Sequence, residues 1–274
     1  MKKISRRSFL AAAAVSVAAL AMTACGGSAS SAASSVASSA ASSEAASSAA
    51  AELTTVETGK LTMATNATFP PYEMTTDSGE LEGIDVDTAK AIAEKLGLEL
   101  QIDDMDFDAA LLSVQQGKAD IVMAGVTVTD ERKAVMDFSD SYATGIQSII
   151  VPNDSDIASP DDLAGKKIGT QRGTTGYIYC SDDFGEDSVV AYDSGLTAVQ
   201  ALNNGQVDAV VIDNAPATEY VAANPGLKVL DTSYAEEDYA IGMAKGSALE
   251  DAVNKALEEL KADGTLQAIV DKYI

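Results

Sequence analysis

The sequence has no histidine and only two cysteines, Cys25 and Cys180. Without an imidazole, histidine general bases, Ser-His catalytic triads and histidine metal sites are all excluded. If Cys25 is the acylated residue argued for below, Cys180 has no disulfide partner, so we expect a fold without disulfides. We predict that Cys180 is a small, buried helix residue.

Basic residues are also scarce. The chain carries 18 lysines and arginines against 42 aspartates and glutamates. Four of the basic residues lie in residues 1–24, which we expect to be removed, so the mature chain keeps 14 of them and has a formal charge of −28. Such an acidic surface argues against nucleic acid and anionic lipid as direct partners, although a cleft can carry its own sign.

Residues 1–24 have the features of a signal peptide: a basic start, an apolar centre and small residues at the end. The apolar part is too short for a stable membrane span. The segment Met22–Cys25 resembles a bacterial lipobox, in which the cysteine becomes the acylated N-terminus. Ser5–Leu10 also resembles a twin-arginine export signal, and an ordinary basic leader explains its two arginines equally well.

Serine and alanine make up nearly all of residues 26–51, and Glu44 is the only charged residue there. Such a tract has no apolar stripe and cannot form a packed core. We therefore predict that residues 25–57 are a lipidated cysteine followed by a flexible tether.

The most informative stretch runs from Ala119 to Tyr142. Its apolar segment Ile121–Ala124 predicts a strand buried on both faces, as in parallel sheets. A glycine, a threonine and a short helix bearing Arg132 follow the strand. In open α/β sheets ligands bind beyond the carboxyl ends of the strands, so Arg132 is placed to hold a small anion.

The pattern of this stretch occurs twice. Gln116–Gly125 aligns with Asn204–Asp213: each has a helix end, a glycine, an aspartate and an apolar strand. The repeat predicts two similar lobes of alternating strands and helices, with Asp213 at the second lobe's strand end. Asp213 is equally well explained as the cap of the next helix or as the partner of an ammonium group.

The chain order predicts one lobe from residues 58–144 plus 239–274 and a second from residues 145–238. The chain would cross between them near residues 142–146 and 237–241, which predicts a hinge. Residues 239–245 are predicted to form a single last strand.

Two aromatic residues are expected at the cleft, because each lies beside a predicted strand end or helix start: Phe69 and Phe107. Asp85 could be mistaken for half of a paired-carboxylate site, since Asp87 follows it. Capping of a helix over residues 88–96 explains both aspartates more simply. The loop Gln171–Gly176 lacks the lysine of a P-loop and the spacing of a dinucleotide-binding motif, so no nucleotide or other cofactor is predicted.

Five motifs stand in an order and spacing found in one known family: Thr65–Tyr72, Gly83–Asp87, Ala119–Arg132, Asp137–Ser139 and Gly169–Gly176. Over residues 58–274 the chain resembles the family 3 extracellular solute-binding proteins, the polar amino-acid-binding components of ABC importers. The resemblance implies an α/β, two-lobed periplasmic-binding-protein-like (type II) fold with two hinge crossings. It also implies a monomer lipid-anchored outside the cell membrane, with an amino acid as ligand and ABC permease and ATPase subunits as partners.

The resemblance also implies roles for individual residues. Arg132 would hold the ligand α-carboxylate with Thr127, and Asp213 and the Gly125 carbonyl would hold its α-ammonium. Backbone N–H groups around Thr174 and Thr175 would also bind the α-carboxylate. Phe69 and Phe107 would enclose the ligand side chain, and Asn66 and Gln171 would line its far end. Ala124, at the strand end, is the last expected ligand-binding residue.

Two departures from the family bear on the ligand. Asn66 stands where many relatives have aspartate, which weakens the case for a cationic ligand. Gln171 and Ile212 stand where glutamine-binding relatives have lysine and histidine, which weakens the case for glutamine. The particular amino acid is left open.

Two other functions share this fold. An amino-acid-sensing module would serve a receptor instead of a transporter, and would need a separate signalling partner. A periplasmic cyclohexadienyl dehydratase would need a catalytic carboxylic acid, for which Glu73 and Glu219 are candidates, but neither has a visible proton-transfer partner. We therefore predict a binding protein and no enzymatic activity.

Overall fold

The computed structural model of the chain describes residues 53–274. The predicted signal peptide, the lipidation site Cys25 and the tether as far as residue 52 lie outside these residues. No helix within residues 53–274 combines the length and the apolar character needed to span a bilayer.

Strands and helices alternate along the described chain, as predicted. The strands are β1 (Lys60–Thr65), β2 (Thr68–Phe69), β3 (Glu73–Thr75), β4 (Leu81–Glu82), β5 (Glu99–Asp104), β6 (Ile121–Val122), β7 (Met136–Phe138), β8 (Ala143–Pro152), β9 (Ile168–Gln171), β10 (Val189–Tyr192), β11 (Ala209–Asp213), β12 (Leu227–Val229), β13 (Ala235–Tyr239) and β14 (Gly242–Ala244). The α-helices are α1 (Ile84–Leu96), α2 (Phe107–Gln115), α3 (Asp130–Val135), α4 (Thr175–Phe184), α5 (Gly195–Asn203), α6 (Asn214–Ala222), α7 (Glu250–Ala262) and α8 (Thr265–Tyr273). Short 3₁₀ turns span Pro160–Leu163 and Glu186–Ser188.

The first lobe is built on a five-stranded sheet with the order β5-β1-β6-β14-β7. Strand β1 is parallel to β5 and β6, whereas β14 is antiparallel to β6 and β7. Leu61, Met63 and Ile121 on the central strands are fully buried, as expected for strands covered on both faces. A small sheet of β2, β3 and β4 follows β1.

The second lobe is built on a six-stranded sheet with the order β10-β9-β11-β8-β12, and β13 also pairs with β8. Its central strands β9 and β11 are parallel, and β8 is antiparallel to β11. Helices α4 and α5 pack on β9 and β11. Cys180 on α4 is fully buried, as the sequence predicts.

The chain crosses between the two sheets twice, and the two crossing strands pair with each other. It enters the second sheet along β8 and returns along β13, which runs antiparallel to β8 with Tyr239 opposite Ala143 and Glu237 opposite Gly145. The single strand predicted over residues 239–245 is wrong. β13 ends at Tyr239 and β14 begins at Gly242, because the chain leaves one sheet and joins the other at this point.

The helix predicted to begin at Thr88 begins four residues earlier. Gly83 is its N-cap at a φ of 135°, and a Cβ at Gly83 would overlap the backbone of Tyr72. Asp85 is therefore inside the first turn and fully buried. Its Oδ2 accepts hydrogen bonds from the Gly125 N–H (3.0 Å) and the Tyr142 hydroxyl (2.8 Å), so the prediction that it caps the helix is wrong.

Candidate functional site

A cavity lies between the two lobes. All eleven residues that the sequence singles out for ligand binding line this one cavity: Asn66, Phe69, Phe107, Ala124, Gly125, Thr127, Arg132, Gln171, Thr174, Thr175 and Asp213. They come from both sheets, because the carboxyl ends of the parallel strands of each lobe face the same space.

Arg132 provides the positive charge of the cavity. Its helix α3 is capped by Thr129, whose hydroxyl accepts a hydrogen bond from the Arg132 N–H. The side chain is 8% exposed. Nη1 donates to the Thr127 carbonyl (2.8 Å), Nη2 donates to the Gly173 carbonyl (3.1 Å), and Cζ lies 5.4 Å from the centre of the Phe107 ring.

Burial lowers the pKa of Arg132, and the nearby Glu237 carboxylate opposes that shift. The guanidinium nevertheless keeps its charge at any physiological pH. A desolvated, charged fork with restricted geometry suits a carboxylate, which can accept two parallel hydrogen bonds from it.

The first turn of α4 faces Arg132 from the second lobe. Thr174 caps this helix by accepting a hydrogen bond from the Tyr177 N–H, and the next residue, Thr175, is buried. The Thr175 and Thr127 hydroxyl oxygens are 3.4 Å apart. Unpaired N–H groups at a helix start attract anions, so the turn adds donors to the same anion-binding end of the cavity.

Asp213 provides a negative charge from the second lobe. It ends β11 and caps α6, so its capping function is confirmed: Oδ1 accepts from the Ala215 N–H (3.0 Å) and Oδ2 accepts from the Ile146 N–H (2.8 Å). The residue is 2% exposed and lines the cavity. Burial raises the pKa of this carboxyl to about 6, against the two backbone hydrogen bonds that lower it.

Aromatic rings cover the middle of the cavity. Phe69 stacks on Tyr72 with ring centres 5.9 Å apart, and Tyr72 meets Tyr239 edge-on at 5.4 Å. Gly125, at a φ of 55°, sits against this cluster, and a Cβ there would lie 3.0 Å from the Phe69 ring and 3.2 Å from the Tyr239 ring. A glycine is required, because a side chain would be strained and would crowd the rings.

Two amides meet at the far end of the cavity. The Gln171 Nε2 donates to Asn66 Oδ1 over 2.8 Å, and the Asn66 Nδ2 donates to the Met105 carbonyl (2.9 Å). Asn66 follows β1 of the first lobe and Gln171 ends β9 of the second. This pair therefore joins the two lobes directly.

Five further residues line the cavity and were not predicted as ligand-binding: Glu73, Gln147, Val211, Ile212 and Tyr239. Val211 and Ile212 belong to the apolar strand that leads to Asp213, and Gln147 pairs with Asp213 in the sheet. A glutamine inside the apolar run of residues 146–151 is the one signal in the sequence that could have identified Gln147. Tyr239 was missed, because the prediction made it the first residue of a continuous strand over residues 239–245.

Glu73 is a second carboxyl at the cavity wall. It is 0% exposed, and neither of its oxygens has a hydrogen-bond partner among residues 53–274. Burial raises the pKa of Glu73 well above its ordinary value, and repulsion from the Asp85 carboxylate raises it further. Both effects favour the protonated form of the Glu73 side chain.

Within residues 53–274 no group of three or more histidine, cysteine, aspartate or glutamate residues is placed to hold a metal ion. The polar groups of the cavity are a guanidinium, carboxyls, amides and hydroxyls. They suit an organic ion with charges of both signs.

The comparisons with known proteins identify the family of the chain. The family model of the bacterial extracellular solute-binding proteins, family 3, matches residues 61–274. The L-cystine-binding protein TcyJ of Escherichia coli K12 is 34% identical over 221 residues, 79% of this chain and 83% of that protein.

Solved structures are similar over the same region. The arginine-, lysine-, histidine-binding protein ArtJ of Geobacillus stearothermophilus is 35% identical with a TM-score of 0.76, covering 78% of this chain and 95% of that one. An ancestral arginine-binding protein bound to arginine is 44% identical with a TM-score of 0.75, covering 79% and 98%. The chain belongs to family 3 of the bacterial extracellular solute-binding proteins, and the predicted two-lobed α/β fold is confirmed.

Proposed function

We propose that this protein binds a polar amino acid outside the cytoplasm and delivers it to the permease of an ABC transporter. The observation that carries the proposal is the placement of Arg132 from one lobe and Asp213 from the other in a single buried cavity. A zwitterion that enters such a cavity loses its hydration, so each of its charges needs a partner there. Arg132 and Asp213 supply one partner of each sign.

In the proposed complex the α-carboxylate accepts hydrogen bonds from Arg132, Thr127 and the first N–H groups of α4. The α-ammonium donates to Asp213 and to the Gly125 carbonyl. The Phe69 and Phe107 rings enclose the side chain, with Ala124 at the strand end and Asn66, Gln171, Thr174 and Thr175 completing the contacts.

Closure of the lobes is the proposed signal to the permease. We take the moving units to be residues 58–144 plus 239–274 and residues 145–238, joined by the paired strands β8 and β13. A ligand that contacts Arg132 and Asp213 together binds the closed arrangement more tightly than an open one. It therefore shifts the population toward closure.

Glu73 bears on the charge of the ligand side chain. With Arg132 and Asp213 paired to the zwitterion, a buried carboxyl is left over at the wall of the cavity. If neutral, it can donate to a polar side chain such as that of cystine, and if ionised, it can pair with a cation such as arginine. Both kinds of ligand occur in the names of similar proteins.

We further propose that the chain is anchored to the outer face of the membrane through an acylated Cys25 and that it acts as a monomer. A signal peptide over residues 1–24 and a Ser/Ala tether fit this arrangement. Mass spectrometry of the mature N-terminus, with Cys25→Ser as the control, tests acylation. Light scattering on a size-exclusion column tests the monomer, and a dimer mass would contradict it.

A thermal-shift screen of the twenty amino acids plus cystine tests the proposed binding directly. At least one should raise the melting temperature, because a ligand that binds only the folded state stabilises it by mass action. Calorimetry then gives the affinity. If no compound shifts the protein, amino-acid binding is refuted.

Two other functions are kept as alternatives. Glu73 is a buried acid in the cavity, which favours a dehydratase more than Glu219, whose side chain is exposed. No enzymatic activity is proposed, and turnover of prephenate or arogenate by the purified protein would contradict that.

A sensing role would use the same cavity. Measuring amino-acid uptake by a strain that lacks the protein separates transport from sensing, because unchanged uptake favours sensing.

A further inference from the structure

Tyr220 makes a contact between the lobes that lies outside the ligand cavity. It is on α6 of the second lobe and is 6% exposed. Its hydroxyl donates a hydrogen bond to the carbonyl oxygen of Thr68, on β2. Strand β2 follows β1 of the first lobe, so this bond spans the cleft. Neither Tyr220 nor Thr68 is among the residues that line the cavity.

Each end of this contact is tied to a cavity wall. Thr68 immediately precedes Phe69, one of the aromatic residues of the cavity. Tyr220 is on the helix whose first turn is capped by Asp213. The hydrogen bond therefore connects the segment that contains Phe69 with the helix that Asp213 caps. It does so without occupying any space that a ligand would use.

The ring of Tyr220 is held in place by the second lobe. A Cβ at Gly195, at the start of α5, would lie 3.3 Å from the ring and would overlap the side chain of Ile212. Gly195 therefore leaves the space that the tyrosine ring needs. Burial raises the pKa of Tyr220, so the hydroxyl keeps its proton and remains a donor.

The acceptor is a backbone carbonyl, which no substitution at Thr68 removes. Opening of the lobes would separate the hydroxyl from this carbonyl and expose both to water. A hydrogen bond of this kind shifts an equilibrium by a factor of about two to ten. Because separation of the lobes would break the bond, its effect falls on the balance between open and closed forms.

We propose that Tyr220 is a positioning residue for lobe closure, which favours the closed form equally for every ligand through its hydrogen bond to Thr68. This role rests on the proposed function in one respect, that lobe closure accompanies ligand binding. Tyr220 does not contact the ligand, so it should set affinity without setting specificity. Removing the hydroxyl of Tyr220 should lower the population of the closed form. The apparent affinity for every ligand should fall in the same proportion.

The test compares Tyr220→Phe with a matched control, Tyr234→Phe. Both substitutions remove one hydroxyl and keep the ring. The Tyr234 hydroxyl donates to Asp183 on α4, so the control breaks a bond within the second lobe. Circular dichroism and melting curves check that both variants fold.

The first measurement is the distance between spin labels on the two lobes, recorded by pulsed EPR without added amino acid. Labels are attached at Lys118→Cys and Asp187→Cys, both exposed positions, in the full mature chain carrying Cys25→Ser. Cys180 is buried and remains unlabelled. Tyr220→Phe should raise the ratio of open to closed forms about two- to tenfold, and Tyr234→Phe should leave it unchanged. Identical distance distributions for Tyr220→Phe and the unsubstituted protein would overturn the proposal.

The second measurement is calorimetry with L-arginine, L-cystine and L-glutamine. Every one of these that binds the unsubstituted protein should bind Tyr220→Phe more weakly by the same factor. A loss confined to one of them would overturn the proposal, because it would mean that Tyr220 acts through ligand contacts. If none of the three binds the unsubstituted protein, the EPR measurement still decides the role of Tyr220.

Discussion

The Nη2 atom of Arg132 donates to the carbonyl oxygen of Gly173 over 3.1 Å, so a side chain that begins on the first lobe ends against the second. Its other terminal nitrogen donates to Thr127, on its own lobe. The guanidinium is thus positioned from both sides before any ligand contact is considered. In the proposed mechanism, lobe closure and carboxylate binding therefore depend on the same group.

Replacing Arg132 with alanine should weaken amino-acid binding by about 3–5 kcal/mol, as expected when one half of a buried charge pair is removed. Arg132→Lys keeps the charge but loses the planar fork, so it should fall between alanine and the unsubstituted protein. Calorimetry measures both. Arg172→Ala is the control, because Arg172 is exposed and pairs at 3.6 Å with Asp193. A loss of less than tenfold for Arg132→Ala would contradict the assigned role.

Binding should weaken in acid because of Asp213. Its carboxyl must be ionised to hold an ammonium group, and burial raises its pKa to about 6. Well below pH 6 binding must displace a proton, so affinity should fall by up to about tenfold per pH unit, and it should be level above about pH 7, where the carboxyl is ionised. Calorimetry at pH 5, 6 and 7 measures this trend.

Asp213→Asn keeps an oxygen for the N-cap of α6, so it should fold. It should bind weakly at every pH and lose the acid dependence. Asp208→Asn is the control, because Asp208 is exposed and immediately precedes the strand that ends at Asp213. It should keep both the affinity and the pH dependence of the unsubstituted protein. Equal affinities for the unsubstituted protein at pH 5 and pH 7 would refute the role of Asp213.

Part of the cavity lining could be predicted from sequence by one rule. Apolar strands followed by glycine, threonine or charged residues define strand ends, and strand ends of parallel sheets share one crevice. Arg132 and Asp213 could be assigned to it this way from the repeated pattern. Their partners in the fold, such as Gly173 for Arg132, could not, because the rule gives a position and no side-chain direction.

Other features depend on contacts between distant parts of the chain. Asp85 is buried because Tyr142 and Gly125, 57 and 40 residues away, donate to its carboxylate. The sequence around Asp85 gives no sign of these distant contacts, and it favours the commoner use of aspartate as a helix cap. The two-residue strands β2 and β4 are likewise too short to show any periodicity.

Asp85 should make the protein less stable as pH rises. Its pKa is raised by burial to about 6 from an ordinary value of 3.8, so the folded state binds the proton more tightly than the unfolded state. The contribution of Asp85 to stability is therefore fully present below pH 4 and is lost as pH rises through 6. The difference corresponds to about 3 kcal/mol.

Asparagine at position 85 imitates the protonated acid and can still accept from Gly125 and Tyr142. Relative to the unsubstituted protein, Asp85→Asn should gain about 3 kcal/mol of unfolding free energy between pH 3.5 and pH 7. Urea unfolding at both pH values measures this difference. Asp87→Asn, which removes a surface ion pair with Lys272, should change stability by less than about 1 kcal/mol. An unchanged pH profile for Asp85→Asn would contradict the assignment.

The hinge should be sensitive to a single methyl group at Gly145. This residue lies on β8 opposite Glu237, and a Cβ there would overlap the ring of Tyr239, which is fully buried and lines the cavity. The ring cannot move without disturbing the aromatic wall that it forms with Tyr72. Gly145→Ala should therefore destabilise the protein by about 1–3 kcal/mol, the usual effect of overpacking, and should also weaken ligand binding.

The matched control is Gly226→Ala, because a Cβ at Gly226 would meet nothing within 4 Å and the backbone there is not left-handed. It should leave both melting temperature and affinity unchanged. Thermal unfolding and calorimetry on the two variants separate overpacking at the crossing strands from a general effect of replacing glycine. If Gly145→Ala melts and binds like the Gly226→Ala control, the Tyr239 ring is not confined by the crossing strand, and the hinge tolerates side chains that this packing forbids.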